Sequence, residues 1–487
     1  MATGAPTNDC YADFASANST LTEMITLPLG FPLTTANNDD SCFPTAGSAL
    51  SINAFYHRLN DLQQSISTID LSFEVPDHPM LSNNAIIGDV STSISGRYDV
   101  SLPDLSTHAS IAMGASVGVF AGVVFATIIY YMLHNNNNNN ENGGGNSRRY
   151  VTLKKAFIGL ILLPASLLLP YTLIDVLGAQ NTAARFTTCI LFVLYQFRIL
   201  ESIFDFVPPG AKSSLSIYCT YFSLPFDMMF DGIKPVMATR KEIRDGQINV
   251  VKAVMCIGAL CTILTPFGYK PFGDTNAGEF HESIVFSDYL DMKHLGNCFA
   301  IALFFQQGLA IGDAVFGNAI QTVLGYKVKQ MMRNPMLEAT SPSDFWGRRW
   351  NVLVHSVMKR GVYKPVRKYS SSAVAASLAV FVASGLFHEW LVHVVFLHNR
   401  PSSSSTSEVL LGSNTAFFVW NFVVIVSEKV LAGTKGVKSL GRMIPSMLLP
   451  FVIIMTSLPM AHWFGNPYLK GGFFEDYEKC LILIRKV

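Results

Sequence analysis

The sequence predicts an all-α polytopic membrane protein with about eight to nine transmembrane spans. Its 487 residues are 50% apolar and only 14% charged, whereas soluble domains carry roughly 25% charged residues. The mean hydropathy is positive. The apolar residues are concentrated in several stretches of about 20 residues, the length that crosses a bilayer as a helix.

The polar N-terminal region, residues 1–108, is acidic. It contains twelve Asp and Glu residues against two Arg, while the rest of the chain contains 33 Lys and Arg against 22 Asp and Glu. No basic patch with interleaved aromatic residues occurs, so a nucleic-acid partner is excluded. A short amphipathic helix and a strand are expected within 54–73. Asn18 begins a glycosylation sequon, and Cys10 and Cys42 are able to form a disulfide if this region is lumenal.

The apolar segments define three regions: the acidic region 1–108, an anchor span with an Asn/Gly-rich linker over 109–147, and a multi-span core over 148–487. The segment 213–230 is short and contains Pro225 and Asp227, which favours a re-entrant or interfacial position over a full span. The predicted apolar segments are 109–133, 156–177, 186–207, 213–230, 249–268, 295–325, 372–397, 415–432 and 443–460.

The distribution of basic residues predicts the orientation. Loops rich in Lys and Arg stay in the cytoplasm, and here they are 148–155, 234–244, 327–368 and 429–442. If 186–230 amounts to one crossing, this assignment gives about eight spans and a lumenal N-terminus.

The loop 326–371 contains ten Lys and Arg residues against two acids, and it includes DFWGRRWN. Ser341 has the features of an N-cap and Gly361 those of a helix end, which predicts one amphipathic helix over 342–360 with Asp344 and Arg348 paired at i, i+4. Such a helix is typical of an anchor lying in the cytoplasmic interface.

Several residues of this segment also suit a binding site. Asn351 follows Gly347 by one turn, so the amide would project beside a gap. The adjacent Arg348 and Arg349 suit phosphate oxygens, because a guanidinium binds them with two parallel hydrogen bonds. Their alternative role is to retain this loop in the cytoplasm.

The run SGLFHEWLVH, residues 384–393, places ionisable side chains inside an apolar span. His388 and His393 are five residues apart and therefore on different helix faces, which argues against a zinc site of the HExxH type. Ionisable groups within spans are usually functional. Burial disfavours the imidazolium, so we expect a neutral His388 able to accept a proton. The alternative is helix–helix hydrogen bonding, with Glu389 paired to His393 or a basic residue; for His393 this bonding role is favoured.

DFWGRRWN, followed by a span carrying SGLFHE, resembles the plant-type wax synthase branch of the membrane-bound O-acyltransferase superfamily. The resemblance covers about residues 148–487. It implies a multi-helix fold around an intramembrane tunnel and a reaction that transfers a fatty acyl group from acyl-CoA to a long-chain alcohol. It also implies endoplasmic reticulum residence and leaves a homodimer open.

Under this resemblance His388 matches the catalytic histidine and Asn351 the asparagine paired with it. Gly347, Trp346 and Trp350 would contribute to substrate binding, and Ser384 and Glu389 would orient the site. We add that Arg348 and Arg349 would hold CoA phosphates. The implied reaction needs no metal and no cofactor besides the co-substrate acyl-CoA; membrane lipids surround the protein.

Two kinds of alternative stay open. The same site could acylate diacylglycerol, a sterol or a terpenoid alcohol, because apolar pockets discriminate weakly between similar chains. A proton-coupled transporter would also place His and Glu in a span, although transporters usually show internal repeats. Among the other polar residues in spans, Arg198 and Glu201 are expected to pair at i, i+3. Gln306 and Asp313 share a helix face that could line a tunnel.

Overall fold

The computed structural model describes residues 57–65, 71–75, 86–87, 90–91, 96–134, 146–278, 285–399, 411–432, 444–445 and 447–486. These all lie in one compact unit spanning Tyr56–Val487. The sequon at Asn18, the cysteines Cys10 and Cys42 and most of the Asn/Gly-rich linker lie outside the described residues.

Among these described ranges, seven helices are long and apolar enough to cross a membrane, which confirms an all-α polytopic membrane protein. The seven are α1 (Leu105–His134), α2 (Arg149–Leu177), α3 (Thr182–Ile203), α4 (Arg240–Phe267), α5 (Met292–Leu324), α6 (Ala373–Leu397) and α7 (Ser413–Leu431).

Two predicted apolar segments do not form long helices. Segment 213–230 contains the nine-residue helix Leu215–Ser223 and then turns into the short strand β5 (Phe230–Asp231), which pairs with β6 (Lys234–Pro235). The helix ends two residues before Pro225, whose ring disfavours helical backbone in the residue that precedes it. Segment 443–460 contains only a short apolar helix, Leu449–Met460.

The described parts of the N-terminal region contain the predicted short helix, at 57–65, and four strands. These strands are β1 (Ser72–Val75), β2 (Ile86–Ile87), β3 (Val90–Ser91) and β4 (Gly96–Ser101). β4 lies between β1 and the C-terminal strand β7 (Leu483–Lys486), and all pairs are antiparallel. The sheet therefore joins the start of α1 to the end of the chain.

α3 is the most enclosed of the long helices. α1, which the sequence assigned to a separate anchor, packs along it through Gly114, Gly118 and Gly122. A Cβ atom at these glycines would lie 2.3 Å from Thr188, 2.6 Å from Leu191 and 2.5 Å from Tyr195, respectively. Small residues at such contacts let two helix backbones approach closely, which strengthens packing inside a membrane.

The remaining helical segments connect and cover the long helices. Between α5 and α6 these are Pro335–Glu338, Pro342–Asp344, Phe345–Arg349, Val352–Met358, Lys359–Tyr363 and Lys364–Tyr369. After Met460 they are His462–Lys470 and Phe473–Glu478.

Candidate active site

The DFWGRRWN segment is not part of one helix, so the predicted helix over 342–360 is wrong. Ser341 caps the first turn as predicted, since its hydroxyl accepts from the Asp344 N–H at 3.1 Å. The chain then forms a π-helical turn over Phe345–Arg349 and becomes extended at Trp350. Asn351 has φ 42° and ψ 64°. Asparagine tolerates this left-handed conformation better than most residues, so the break falls there.

A new helix, Val352–Met358, starts after the break, and Asn351 is its N-cap. The Asn351 Oδ1 accepts from the Val354 N–H at 3.2 Å. The predicted helix end at Gly361 is also wrong, because a π-helical turn runs through Lys359–Tyr363. Gly361 instead permits a close approach, since a Cβ there would lie 2.7 Å from the carbonyl oxygen of Phe197.

Asp344 organises the two adjacent arginines. Its carboxylate forms an ion pair with Arg348, 2.8 Å from Nε, as the sequence predicts, and it accepts a hydrogen bond from Arg349 Nε at 2.8 Å. Burial raises the pKa of the Asp344 carboxyl, but hydrogen bonds from Arg349 and Thr340 outweigh this effect and lower the pKa to about 2. The carboxylate is therefore ionised at neutral pH and fixes the direction of both guanidinium groups.

An open polar pocket of about 470 Å³ lies beside these arginines. Three guanidinium groups against two carboxylates give it a positive balance, and amide and hydroxyl groups complete its lining. Arg348 remains 72% exposed at its side chain, so it can still contact an anion. The lining residues are Gln330, Arg333, Asn334, Glu338, Thr340, Asp344, Arg348 and Arg349.

The aromatic residues of the segment face the interior. Trp346 Nε1 donates to the Asn421 Oδ1 of α7 at 3.0 Å, and Trp350 stacks on Phe345 at 5.4 Å between centroids. A Cβ at Gly347 would meet His355 Cε1 at 3.9 Å, an ordinary contact. The Trp346–Asn421 hydrogen bond links the segment to α7.

His388 lies on α6 within a cage of aromatic rings. Phe418 stacks on the imidazole at 4.9 Å between centroids, and Phe464 contacts it edge-on at the same distance. The His388 Nδ1 lies 3.3 Å from the hydroxyl of Tyr468, a residue that is only 1% exposed. His388 itself is partly buried. Because Nδ1 faces Tyr468, the Nε2 atom is the nitrogen that can meet a reactant.

The structure brings the two sequence motifs together through Phe418 and Phe387. Phe418 contacts both His388 and Trp346. The centroids of the Phe418 and Trp346 rings are 6.1 Å apart. Phe387, next to His388, belongs to one buried cluster with Leu353, Val357 and Met358 of the helix that Asn351 caps. Val193, Leu194 and Phe197 of α3 belong to the same cluster, and Phe387 contacts Phe197 at 6.0 Å between centroids. The helix that Asn351 caps and the helix carrying His388 therefore share one buried cluster with α3.

The other polar residues of SGLFHEWLVH have separate partners. Glu389 Oε1 accepts from the Thr415 N–H at 3.0 Å, near the N-terminus of α7, where a negative charge is favourable. His393 Nδ1 contacts the Tyr171 hydroxyl of α2 at 3.0 Å, which confirms its helix–helix bonding role. The Glu389–His393 pairing is thus wrong. Ser384 is buried, and its neighbour Gly385 lets α6 approach Thr415 closely.

The expected pairing of Arg198 with Glu201 is also wrong. Arg198 donates to the carbonyl oxygens of Phe222, Leu224 and Phe226 at 2.6–2.7 Å, because the chain after Leu215–Ser223 leaves these carbonyls without helical partners. Glu201 pairs instead with Arg360 Nε at 3.0 Å.

Asp313 has a similar structural role, since its Oδ2 accepts from the Met331 N–H at 2.9 Å. The carboxylate therefore holds the start of the segment that carries the motif.

Two contacts of the site could not be found from local sequence. Tyr468 and Phe418 lie 80 and 30 positions from His388, and no spacing rule connects residues on different helices. The only local signal was the aromatic composition of the segment containing Phe464 and Tyr468.

Comparisons with known proteins support the resemblance. Residues 329–420, which include both motifs, match the membrane bound O-acyl transferase family. The chain is 31% identical over 156 residues to "Probable long-chain-alcohol O-fatty-acyltransferase 3" of Arabidopsis thaliana, covering 31% of this chain and 43% of that protein. It is 32% identical over 148 residues to the long-chain-alcohol O-fatty-acyltransferase of Simmondsia chinensis, covering 29% and 39%.

A third relative, acyl-CoA–sterol O-acyltransferase 1 of Arabidopsis thaliana, is 33% identical over 110 residues, covering 21% of this chain and 31% of that protein. The chain spans less than half the length of the curated relatives it matches first. The similarity to the plant-type wax synthase branch is therefore confirmed for the part of the chain that these alignments cover.

Proposed function

We propose that this multi-pass membrane protein, whose residues 329–420 match the membrane bound O-acyl transferase family, transfers a fatty acyl group from acyl-CoA to a long-chain alcohol. The products are a wax ester and free CoA. The observation that carries the proposal is the position of His388. Its Nδ1 contacts the Tyr468 hydroxyl, and Phe418 of its aromatic cage also contacts Trp346 of the DFWGRRWN segment.

His388 acts as the general base in this reaction. With its Nδ1 proton donated to the Tyr468 oxygen, Nε2 carries the lone pair that removes the hydroxyl proton as the alcohol oxygen attacks the thioester carbonyl. The tetrahedral intermediate then collapses, the C–S bond breaks, and the imidazolium returns the proton to the CoA thiolate. A positioned base of this kind contributes about 10²–10⁴-fold to the rate.

Asn351 has one group left for chemistry. Its Oδ1 is used as the helix cap, so its NH₂ group is the donor that can stabilise the negative charge on the thioester oxygen. Ser384 and Glu389 would support the site through the close contact of α6 with α7.

The polar pocket beside Arg348 and Arg349 suits the phosphate groups of CoA. Guanidinium groups bind phosphate oxygens through charge-assisted hydrogen bonds, and Asp344 holds these two in place. Trp346 and Trp350 would line the path from this pocket towards His388. The proposed reaction balances with acyl-CoA and an alcohol alone, and our proposal includes no metal or further cofactor.

We further propose residence in the endoplasmic reticulum membrane, with the acidic N-terminal region in the lumen. The basic loop 326–371 and its polar pocket would then face the cytoplasm, where acyl-CoA is available. A homodimer is compatible with this arrangement and is not required by the chemistry.

A sterol is the second candidate acceptor, because one relative is named as an acyl-CoA–sterol acyltransferase. Microsomes containing the protein, given labelled acyl-CoA with hexadecanol and a sterol together, should form mainly wax ester. Microsomes without the protein are the control. Steryl ester as the main product would reassign the acceptor, and no ester on either acceptor or on diacylglycerol would contradict the proposal.

A further inference from the structure

A second group of reactive side chains lies outside the site around His388. His294 and Cys298 are one turn apart on α5, and His462 starts the helix His462–Lys470. All three are buried, with 1%, 4% and 3% of their surface exposed. Their ligand atoms lie within 4.8 Å of one another. Two imidazoles and a thiol on two separate elements thus converge on one point.

The carbonyl oxygen of Pro459 completes the group. It lies 3.1 Å from His294 Nε2 and 3.1 Å from His462 Nδ1. The Cys298 Sγ lies 3.6 Å from His294 Nε2. Zinc bonds of about 2.0–2.3 Å in a tetrahedron place neighbouring ligand atoms about 3.3–3.6 Å apart. These three separations of 3.1, 3.1 and 3.6 Å lie within a few tenths of an ångström of that range, and the three side-chain ligand atoms, all within 4.8 Å of one another, would draw together around an ion.

We propose that His294, Cys298, His462 and the Pro459 carbonyl bind one structural Zn²⁺ ion. Nitrogen and sulfur ligands favour zinc over magnesium or calcium, which prefer oxygen. Four protein ligands leave no open position, which is typical of a structural site. Binding converts the Cys298 thiol to a thiolate and releases its proton. The His294 Nδ1, 3.5 Å from the Thr275 hydroxyl, then carries the remaining ring proton.

This site would fix a helix that contributes to the cage of His388. His462 is the first residue of the helix that also carries Phe464 and Tyr468, both of which contact His388. Zinc would tie the start of this helix to the first two turns of α5. The inference does not depend on the proposed reaction, and it adds a metal that the sequence did not predict.

The test is the zinc content of the purified full-length chain in detergent, measured by mass spectrometry after removal of loosely bound ions. We expect about one zinc per chain. Cys298→Ala should lower the content by about tenfold or more, and so should His462→Phe, which keeps the ring stacked on Tyr289. Cys189→Ala, at a buried cysteine of α3 outside the group, is the matched control and should retain the zinc.

Two further measurements separate loss of the metal from loss of the fold. His462→Cys supplies another zinc ligand and should restore the zinc content. Replacing zinc with Co²⁺ should produce a thiolate-to-cobalt absorption band that is absent in Cys298→Ala. Wild-type protein without stoichiometric zinc after incubation with zinc salt, or equal zinc in the wild type and Cys298→Ala, would show that the group is only a hydrogen-bonded core cluster.

Discussion

Tyr468 contacts the His388 imidazole, which we propose as the general base. Its hydroxyl contacts Nδ1 at 3.3 Å, so in the proposed reaction Nε2 would meet the alcohol. A hydrogen bond of about 1 kcal/mol corresponds to roughly a fivefold change in rate.

Replacing Tyr468 with Phe keeps the aromatic packing and removes this bond. We therefore expect kcat to fall about three- to tenfold with KM nearly unchanged. Tyr477→Phe, on the neighbouring helix Phe473–Glu478, is the control. A Tyr468→Phe variant with wild-type kcat would show that the contact does not orient the imidazole.

Asn351 combines a backbone role with a chemical one, and three substitutions separate them. Asn351→Ala strains the left-handed backbone and removes the helix cap, which should lower the free energy of unfolding by about 2 kcal/mol. Asn351→Gly can adopt the left-handed backbone conformation and should lower the free energy of unfolding by only a few tenths of a kcal/mol. Asn351→Asp keeps the cap oxygen and removes the NH₂ donor.

If the amide stabilises the developing charge, all three variants lose activity while only Asn351→Ala loses much thermal stability. The two quantities are ester formation in microsomes and the melting temperature in detergent. An active Asn351→Asp variant would restrict Asn351 to its structural role.

At the scale of elements, a buried ionic group fixes the helical segment Lys359–Tyr363 to α3. Arg360 donates to Glu201 at 3.0 Å and to Asp227 at 3.1 Å, and the two carboxylate side chains are 0% and 3% exposed. Removing one partner of such a pair leaves a buried charge without compensation, which costs about 3–5 kcal/mol.

Arg360→Met should therefore lower the melting temperature strongly. Lys270→Met, which breaks the more exposed pair with Asp274, should cost less than about 1 kcal/mol. Equal effects of the two substitutions would show that the Arg360 group does not stabilise the fold.

Sequence patterns predicted the features that depend on residues close together in the chain. The Ser341 cap, the Asp344–Arg348 pair and the positions of the seven long helices follow from residues within a few turns of each other. The break at Asn351 did not follow, because a single left-handed asparagine leaves the apolar pattern unchanged. The partners of His388, Glu201 and Arg198 lie on other segments of the chain, so tertiary packing and not sequence spacing determines them.

At the scale of the whole molecule, the pairing of β4 with β7 constrains the topology. β4 immediately precedes α1 and β7 ends the described chain, so both strands must lie on the same side of the membrane. Seven crossings would put them on opposite sides. We therefore expect an eighth passage, and Leu449–Met460 together with the helix His462–Lys470 is our candidate for it. This count agrees with the orientation predicted from the basic loops.

We expect tags placed in residues 1–108 and after Val487 to be protected from protease in sealed microsomes. A tag in the loop 326–371 should be cleaved under the same conditions, which controls for access. Cleavage of one terminal tag with protection of the other would contradict the eight-crossing topology.

The most direct test of the proposed chemistry compares two histidines of α6. His388→Ala and His393→Ala each remove one imidazole from the same helix. Only His388 lies in the aromatic cage, whose Phe418 also contacts Trp346 of the DFWGRRWN segment. At equal protein levels in microsomes, His388→Ala should lower wax-ester formation by at least about 10²-fold, while His393→Ala should retain most of it. Wild-type ester formation in His388→Ala would contradict the mechanism.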